Sequence, residues 1–167
     1  MAQISFFFGC SQLSALRRHA PPHLRQSYSR FEILASCLWK CRTVSLRPDP
    51  KETMRMICLV SMRGKFSDPP LPIGYYGNTF AFAVAEAPAG ELCRNPLGYA
   101  LDLPDVGPVP GLANFCIPCK NKEGEDGIVL AISLPTQAME RFVKELESML
   151  KSPPNETKTF THVMSAL

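Results

Sequence analysis

A chain of 167 residues, 46% hydrophobic and 20% charged, is long and apolar enough to bury one domain's core, which excludes wholesale disorder. A net charge of +3 is too small to argue for nucleic acid or a membrane surface, and no apolar run reaches bilayer-crossing length. Seven cysteines at scattered spacings, with no basic-then-apolar leader before them, are expected as free thiols in a reducing cytoplasm.

The first residues carry Arg17, Arg18, Arg25 and Arg30 and no acid before Glu32, a bias that transit peptides share. A strand over Ile4–Phe8 followed by a helix starting near Ser11 accounts for the same residues as folded structure, and this reading is preferred. In "SRFEILASCLWKCRT" the Ser29 and Glu32 spacing fits a capping box, and Phe31, Leu34, Leu38 and Cys41 recur at helical spacing as one buried face. Pro48 and Pro50 end that helix.

"TMRMICLVSM" is short and apolar and predicts a strand buried on both faces. A second strand follows from about Asn78, and "GELCRNPLGYALDL" predicts a helix broken or restarted at Pro96. "LANFCIPC" and "GIVLAISLP" read as strands joined into a hairpin by "KNKEGEDG". "PTQAMERFVKELESMLK" is the strongest helix, with Met139, Phe142, Val143, Leu146, Met149 and Leu150 on one face. Residues 152–167 read as a loose tail. The order is that of a mixed α/β layer fold.

Ordinary motif reading finds no catalytic residue and no metal site. His19 and His23 are separated by Pro21 and Pro22, so they have no helical spacing and belong to a solvated loop. Cys116 and Cys119 form a single CxxC in a strand-like segment, short of the four ligands zinc requires. Cys37 and Cys41 are expected in the core. No phosphate-binding glycine loop and no GxSxG elbow is present.

"PPLPIGYYGN" (Pro69–Asn78) brackets a Tyr pair with prolines and glycines between two strands. On the residues alone it reads as a tight crossover loop with tyrosines packed beneath it. It also resembles the "PPLPxGYxGN" stretch of the plant BAHD acyltransferases. "ISFFFG…LSALRRHAPPHLR", "FEILASCLWKCRT", "PDPKETMRMICLV", "ELCRNPLGYAL" and "LANFCIPCKNKEGEDGIVLAISLPTQAMERFVKELESMLK" resemble consecutive segments of that family, in order, over residues 3–151. Within it the benzyl alcohol O-benzoyltransferase branch is the most similar.

The resemblance implies a partial chloramphenicol-acetyltransferase-like α/β fold, a mixed sheet with flanking helices, mainly the C-terminal domain of two. It implies acyl transfer from acyl-CoA, as co-substrate, to a small alcohol, with no bound cofactor, no membrane and no specific protein partner. The family's catalytic His-x-x-x-Asp occurs nowhere in these residues, and its Asp-Phe-Gly-Trp-Gly is absent too, the sole Trp being Trp39. In the family that second motif falls where "LPDVGPVPG" (103–111) stands, so the Pro- and Gly-rich stretch is expected to be the junction of a deletion inside an incomplete domain, residues 1–151. By the same resemblance Ser29, Arg63, Lys65 and Asn78 are the coenzyme-binding candidates. Arg30 departs from the small hydroxyl residue usual after Ser29, and Ser61 stands where the family has Asn.

Overall fold

Alternation in sequence builds the first sheet. The computed structural model describes residues 1–63, 71–101, 103 and 116–151. In β1 (Ala2–Phe8) every second side chain turns inward, so Ile4, Phe6 and Phe8 share one face. Across the chain, β4 (Cys116–Lys120) and β5 (Asp126–Leu134) form the expected antiparallel hairpin. β5 then takes the centre of an antiparallel β1-β5-β4 sheet, with Phe6 opposite Leu130 and Ile4 opposite Ile132. Gly127 permits this register, because the Phe7 ring lies where a side chain at Gly127 would stand.

Three helices cover the inner face of that sheet. α1 (Cys10–Arg17) starts one residue before the expected Ser11, and Glu125 from the hairpin turn accepts the Cys10 N–H through Oε1 at 3.0 Å. α5 (Thr136–Leu150) buries Met139, Phe142, Leu146 and Met149 as its periodicity predicts, with Val143 and Leu150 half-buried at the edge. The Phe142 ring meets Phe6 at a centroid distance of 5.5 Å.

α2 (Arg30–Leu46) departs from expectation. Phe31 was expected in the buried face, yet it is 45% exposed. The inward residues are Ile33, Leu34, Cys37 and Cys41, which join the first core. The opposite side of the helix is buried too. There Trp39 joins a second, smaller cluster with Ala85, Ala87, Leu92 and Ala100. The helix therefore has no broad solvent face, and Ser36, Lys40, Thr43 and Ser45 are all buried.

Each of these polar side chains finds an acceptor. Thr43 and Ser45 donate back to the carbonyls of Trp39 and Cys41 one turn earlier. Ser36 donates to the Ala100 carbonyl at 3.4 Å. Lys40 distributes its three donors over the carbonyls of Leu92 (2.6 Å), Cys93 (3.1 Å) and Asn95 (2.8 Å). These carbonyls end α3 (Ala89–Arg94), so the ammonium sits at the negative end of a short helix.

The second cluster is roofed by a two-stranded antiparallel ribbon of β2 (Thr53–Ser61) and β3 (Phe80–Pro88). Met54 and Met56, opposite Ala87 and Ala85, face the cluster. β2 was expected to be buried on both faces, but Leu59 is 54% exposed, and its cross-strand partner Phe82 is exposed as well. The reason is that the described ribbon has one layer packed beneath it and no third strand beside it. Pro96 breaks the following helix as foreseen, leaving α4 (Leu97–Leu101) after α3. Apart from Leu103 the expected deletion junction lies outside the described residues, as does the tail from 152.

Between α2 and α5 the sulfurs of Cys37, Cys41 and Met149 lie 3.7–3.9 Å apart. The hydrogen bond shared with Cys37, then burial, push the Cys41 thiol well above its ordinary value of 9.0.

Two outcomes follow from this packing. Lys40→Met leaves the buried Leu92 carbonyl and the part-buried Cys93 and Asn95 carbonyls without their donor and should destabilise the fold by about 2–4 kcal/mol in chemical denaturation. The folded Cys41 thiol keeps its proton to higher pH than the unfolded one, so stability should fall as pH rises past 9.0, and Cys41→Ala should flatten that fall. Denaturation midpoints measured across the alkaline range check the second outcome.

Candidate functional site

The loop between β2 and β3 is ordered by local chemistry. The Tyr75 N–H donates to the Pro72 carbonyl at 3.0 Å, closing a turn whose third residue is Gly74. Gly74 has φ +85°, the left-handed conformation that a type II turn requires at that position and that glycine adopts without strain. Gly77 serves differently: the Tyr75 ring folds back over it, into the space a Cβ would occupy. Tyr75 nevertheless remains exposed, and Tyr76 is 100% exposed. The expectation that both tyrosines pack beneath the loop is thus corrected, since the turn carries the Tyr76 side chain away from the body of the ribbon.

Arg63 closes the far side of this loop. Its Nη1 donates to the Tyr75 carbonyl and its Nη2 to the Gly77 carbonyl, both at 2.9 Å. The Met62 N–H donates to the Thr79 carbonyl at 3.0 Å, extending the ladder one step beyond the strands. Asn78 lies between the anchored carbonyls of Gly77 and Thr79. Its side chain is exposed and makes no hydrogen bond to the described residues. Lys65 lies outside the described residues.

Ser29 stands elsewhere, at the start of α2. Its hydroxyl accepts the Glu32 N–H at 3.1 Å while the Glu32 carboxylate accepts the Ser29 N–H at 2.6 Å, the reciprocal box predicted from the spacing. The next residue, Arg30, lines a wide groove of about 360 Å³ with Pro118, Cys119, Lys120, Asp126, Gly127 and Ile128. Lys120 in that groove is paired with Asp126 at 2.9 Å. Of the four candidates, then, the structure brings Arg63 and Asn78 together, and no described hydrogen bond joins them to Ser29. The Arg30 groove was not foreseen: it joins a helix start to a hairpin some 90 residues away along the chain, and neither segment carries a signal for the other.

No constellation for proton transfer is assembled among the described residues. His19 lies in the loop after α1 and donates from Nε2 to the Met149 carbonyl at 2.8 Å, at the C-terminal end of α5. His23 is exposed in the same loop, and His162 lies outside the described residues. No group of three or more His, Cys, Asp or Glu side chains with metal-binding geometry occurs among the described residues. Six cysteines there are free thiols. No helix among the described residues is long and apolar enough to cross a membrane.

Comparison with known proteins places this arrangement. The family model described as Transferase family matches residues 2–106. Benzyl alcohol O-benzoyltransferase from Petunia hybrida is 40% identical over 229 aligned residues, covering 100% of this chain and 49% of that protein. Alcohol acyl transferase 2 from Malus domestica is 36% identical, covering 93% of this chain and 46% of that protein. Among solved structures, F. sporotrichioides TRI101 complexed with coenzyme A and T-2 superposes with a TM-score of 0.62 at 18% identity, over 87% of this chain and 49% of that one, so the α/β fold is shared. The chain spans about half the length of the curated relatives it matches. An alignment of 229 positions against 167 residues also leaves at least 62 positions of the Petunia hybrida protein with no counterpart here. The identity over the whole chain and the family match over most of it show that this chain belongs to the BAHD acyltransferase family.

Proposed function

We propose that residues 1–151 are an incomplete C-terminal domain of an acyl-CoA-dependent O-acyltransferase, retaining part of its coenzyme-facing edge and none of its catalyst. One observation carries the second half of this reading: in these 167 residues no His is followed four positions later by Asp. In the intact reaction that His takes the alcohol's hydroxyl proton, the oxygen bonds to the thioester carbon, and coenzyme A leaves as the thiolate. Without a base the alcohol stays protonated and is a poor nucleophile.

The internal gap supports a deletion junction near 103–111, because the family match ends at residue 106, inside that stretch. Ser29, Arg63, Lys65 and Asn78 are the proposed residues of the coenzyme-facing edge by their positions in the family's motifs, where cations and amide donors suit a phosphate. The relatives' names support a small alcohol as the acceptor of the ancestral enzyme and a place in plant secondary metabolism. A cytoplasmic location agrees with the free thiols.

Two measurements test this proposal. Coenzyme A should bind with Kd about 1 mM, or −4 kcal/mol, in calorimetry or ligand-observed NMR. Benzoyl-CoA and benzyl alcohol together should give no ester above the blank. Ester formation overturns the loss of the catalyst, and absence of any binding at 10 mM, roughly tenfold over the expected Kd, overturns the coenzyme-facing edge.

A further inference from the structure

We infer that Arg63 is a positioning residue, whose guanidinium fork holds the Pro72–Asn78 turn in the shape that presents Asn78 outward, rather than a cation that itself meets a phosphate. The inference deepens the coenzyme-facing reading above and rests on it for its functional part.

Geometry carries it. Nη1 and Nη2 donate to the carbonyls of Tyr75 and Gly77, one on each side of Tyr76, both at 2.9 Å. Among the described residues the turn has little else to hold it. Ile73 and Tyr76 are fully exposed, so burial of its own side chains does not fix its shape. The remaining described ties are the Pro72–Tyr75 turn bond, the Met62–Thr79 backbone bond and a 3.5 Å contact from the Thr79 hydroxyl to the Gly77 carbonyl. Asn78 is flanked by carbonyls that accept from the two residues after β2, and so its orientation depends on Arg63 on one side and Met62 on the other.

The chemistry separates charge from shape. Lysine keeps the positive charge but is a compact ammonium on a flexible stem, and it does not reproduce a planar fork spanning two carbonyls. A phosphate contact therefore tolerates Arg63→Lys, whereas a clamp does not.

The test compares Arg63→Lys and Arg63→Ala in the full chain with two readouts. Chymotrypsin cleavage after Tyr75 and Tyr76 follows the population of the opened turn. Loss of the fork should speed it roughly five- to thirtyfold in both variants, with cleavage elsewhere unchanged. Coenzyme A affinity should fall alike in both variants, and its salt dependence should match that of the parent, because no phosphate contact is lost. Asn78→Ala added to Arg63→Lys should weaken binding no further than either change alone, since both act through one group. Binding retained by Arg63→Lys, or a shallower salt dependence in Arg63→Ala, overturns the inference. So does cleavage at Tyr75 and Tyr76 that is unchanged in Arg63→Lys. If the parent itself binds no coenzyme A, the coenzyme-facing reading fails, and the cleavage rates still decide whether Arg63 is the clamp.

Discussion

A helix buried on two opposite sides must satisfy its polar groups without water, and α2 is such a helix. Its seventeen residues separate two hydrophobic clusters. The hydroxyls on its buried side bond within the helix or to α4, which short side chains reach easily. Lys40 has further to reach, and it is 7% exposed. An ammonium in such a place is tolerated only because the end of α3 offers it three carbonyls at once. The same contact orients α3, and through α3 the start of the ribbon above it. The Ala89 N–H donates to the Glu52 carbonyl, so the two ends of β2 and β3 meet where α3 begins.

Side chains from distant elements close other helix ends in the same manner. Arg141 of α5 donates to the Ser45 carbonyl in the last turn of α2, and His19 donates to Met149 at the end of α5. These contacts are directional and hold helices to one another where hydrophobic packing alone permits sliding. They also sort the molecule into a firm part and a lighter one. The β1-β5-β4 sheet carries three helices and most of the large buried side chains. The β2–β3 ribbon rests on a smaller cluster containing three alanines, and a two-stranded ribbon has little stability of its own. The Pro72–Asn78 turn stands at the end of the lighter part, where among the described residues the Arg63 fork is its main tie.

Legibility in the sequence followed exposure. α5 has solvent on one side, so its apolar period is clean and its buried face was read almost residue by residue. α2 has none, so apolar residues occur all round, and Phe31 was assigned to a face it does not occupy. The run Ile57–Val60 is apolar whether both faces of a strand are covered or one is bare, and only the neighbours decide which. The Ser29 capping box was readable because both acceptors are side chains of particular residue types at a fixed spacing. The Arg63 clamp was not, because its acceptors are backbone carbonyls, which every residue carries. Family membership was legible from motif order, while the assignment of Arg63 to a coenzyme contact came from motif position and carried no information about its partners.

Trp39 gives the smaller cluster an optical signature. It is the one tryptophan in the chain, and its indole N–H is buried with no hydrogen-bond partner among the described residues. An indole without a polar neighbour emits at short wavelength, and water entering beside it shifts the emission to the red. Fluorescence excited at the red edge, where tyrosine does not absorb, therefore reports mainly on the contact between α2 and the ribbon. Far-ultraviolet dichroism, dominated by α2 and α5, reports mainly on the other part. The two signals, recorded on one sample, distinguish a ribbon that lifts away by itself from a domain that unfolds as a whole.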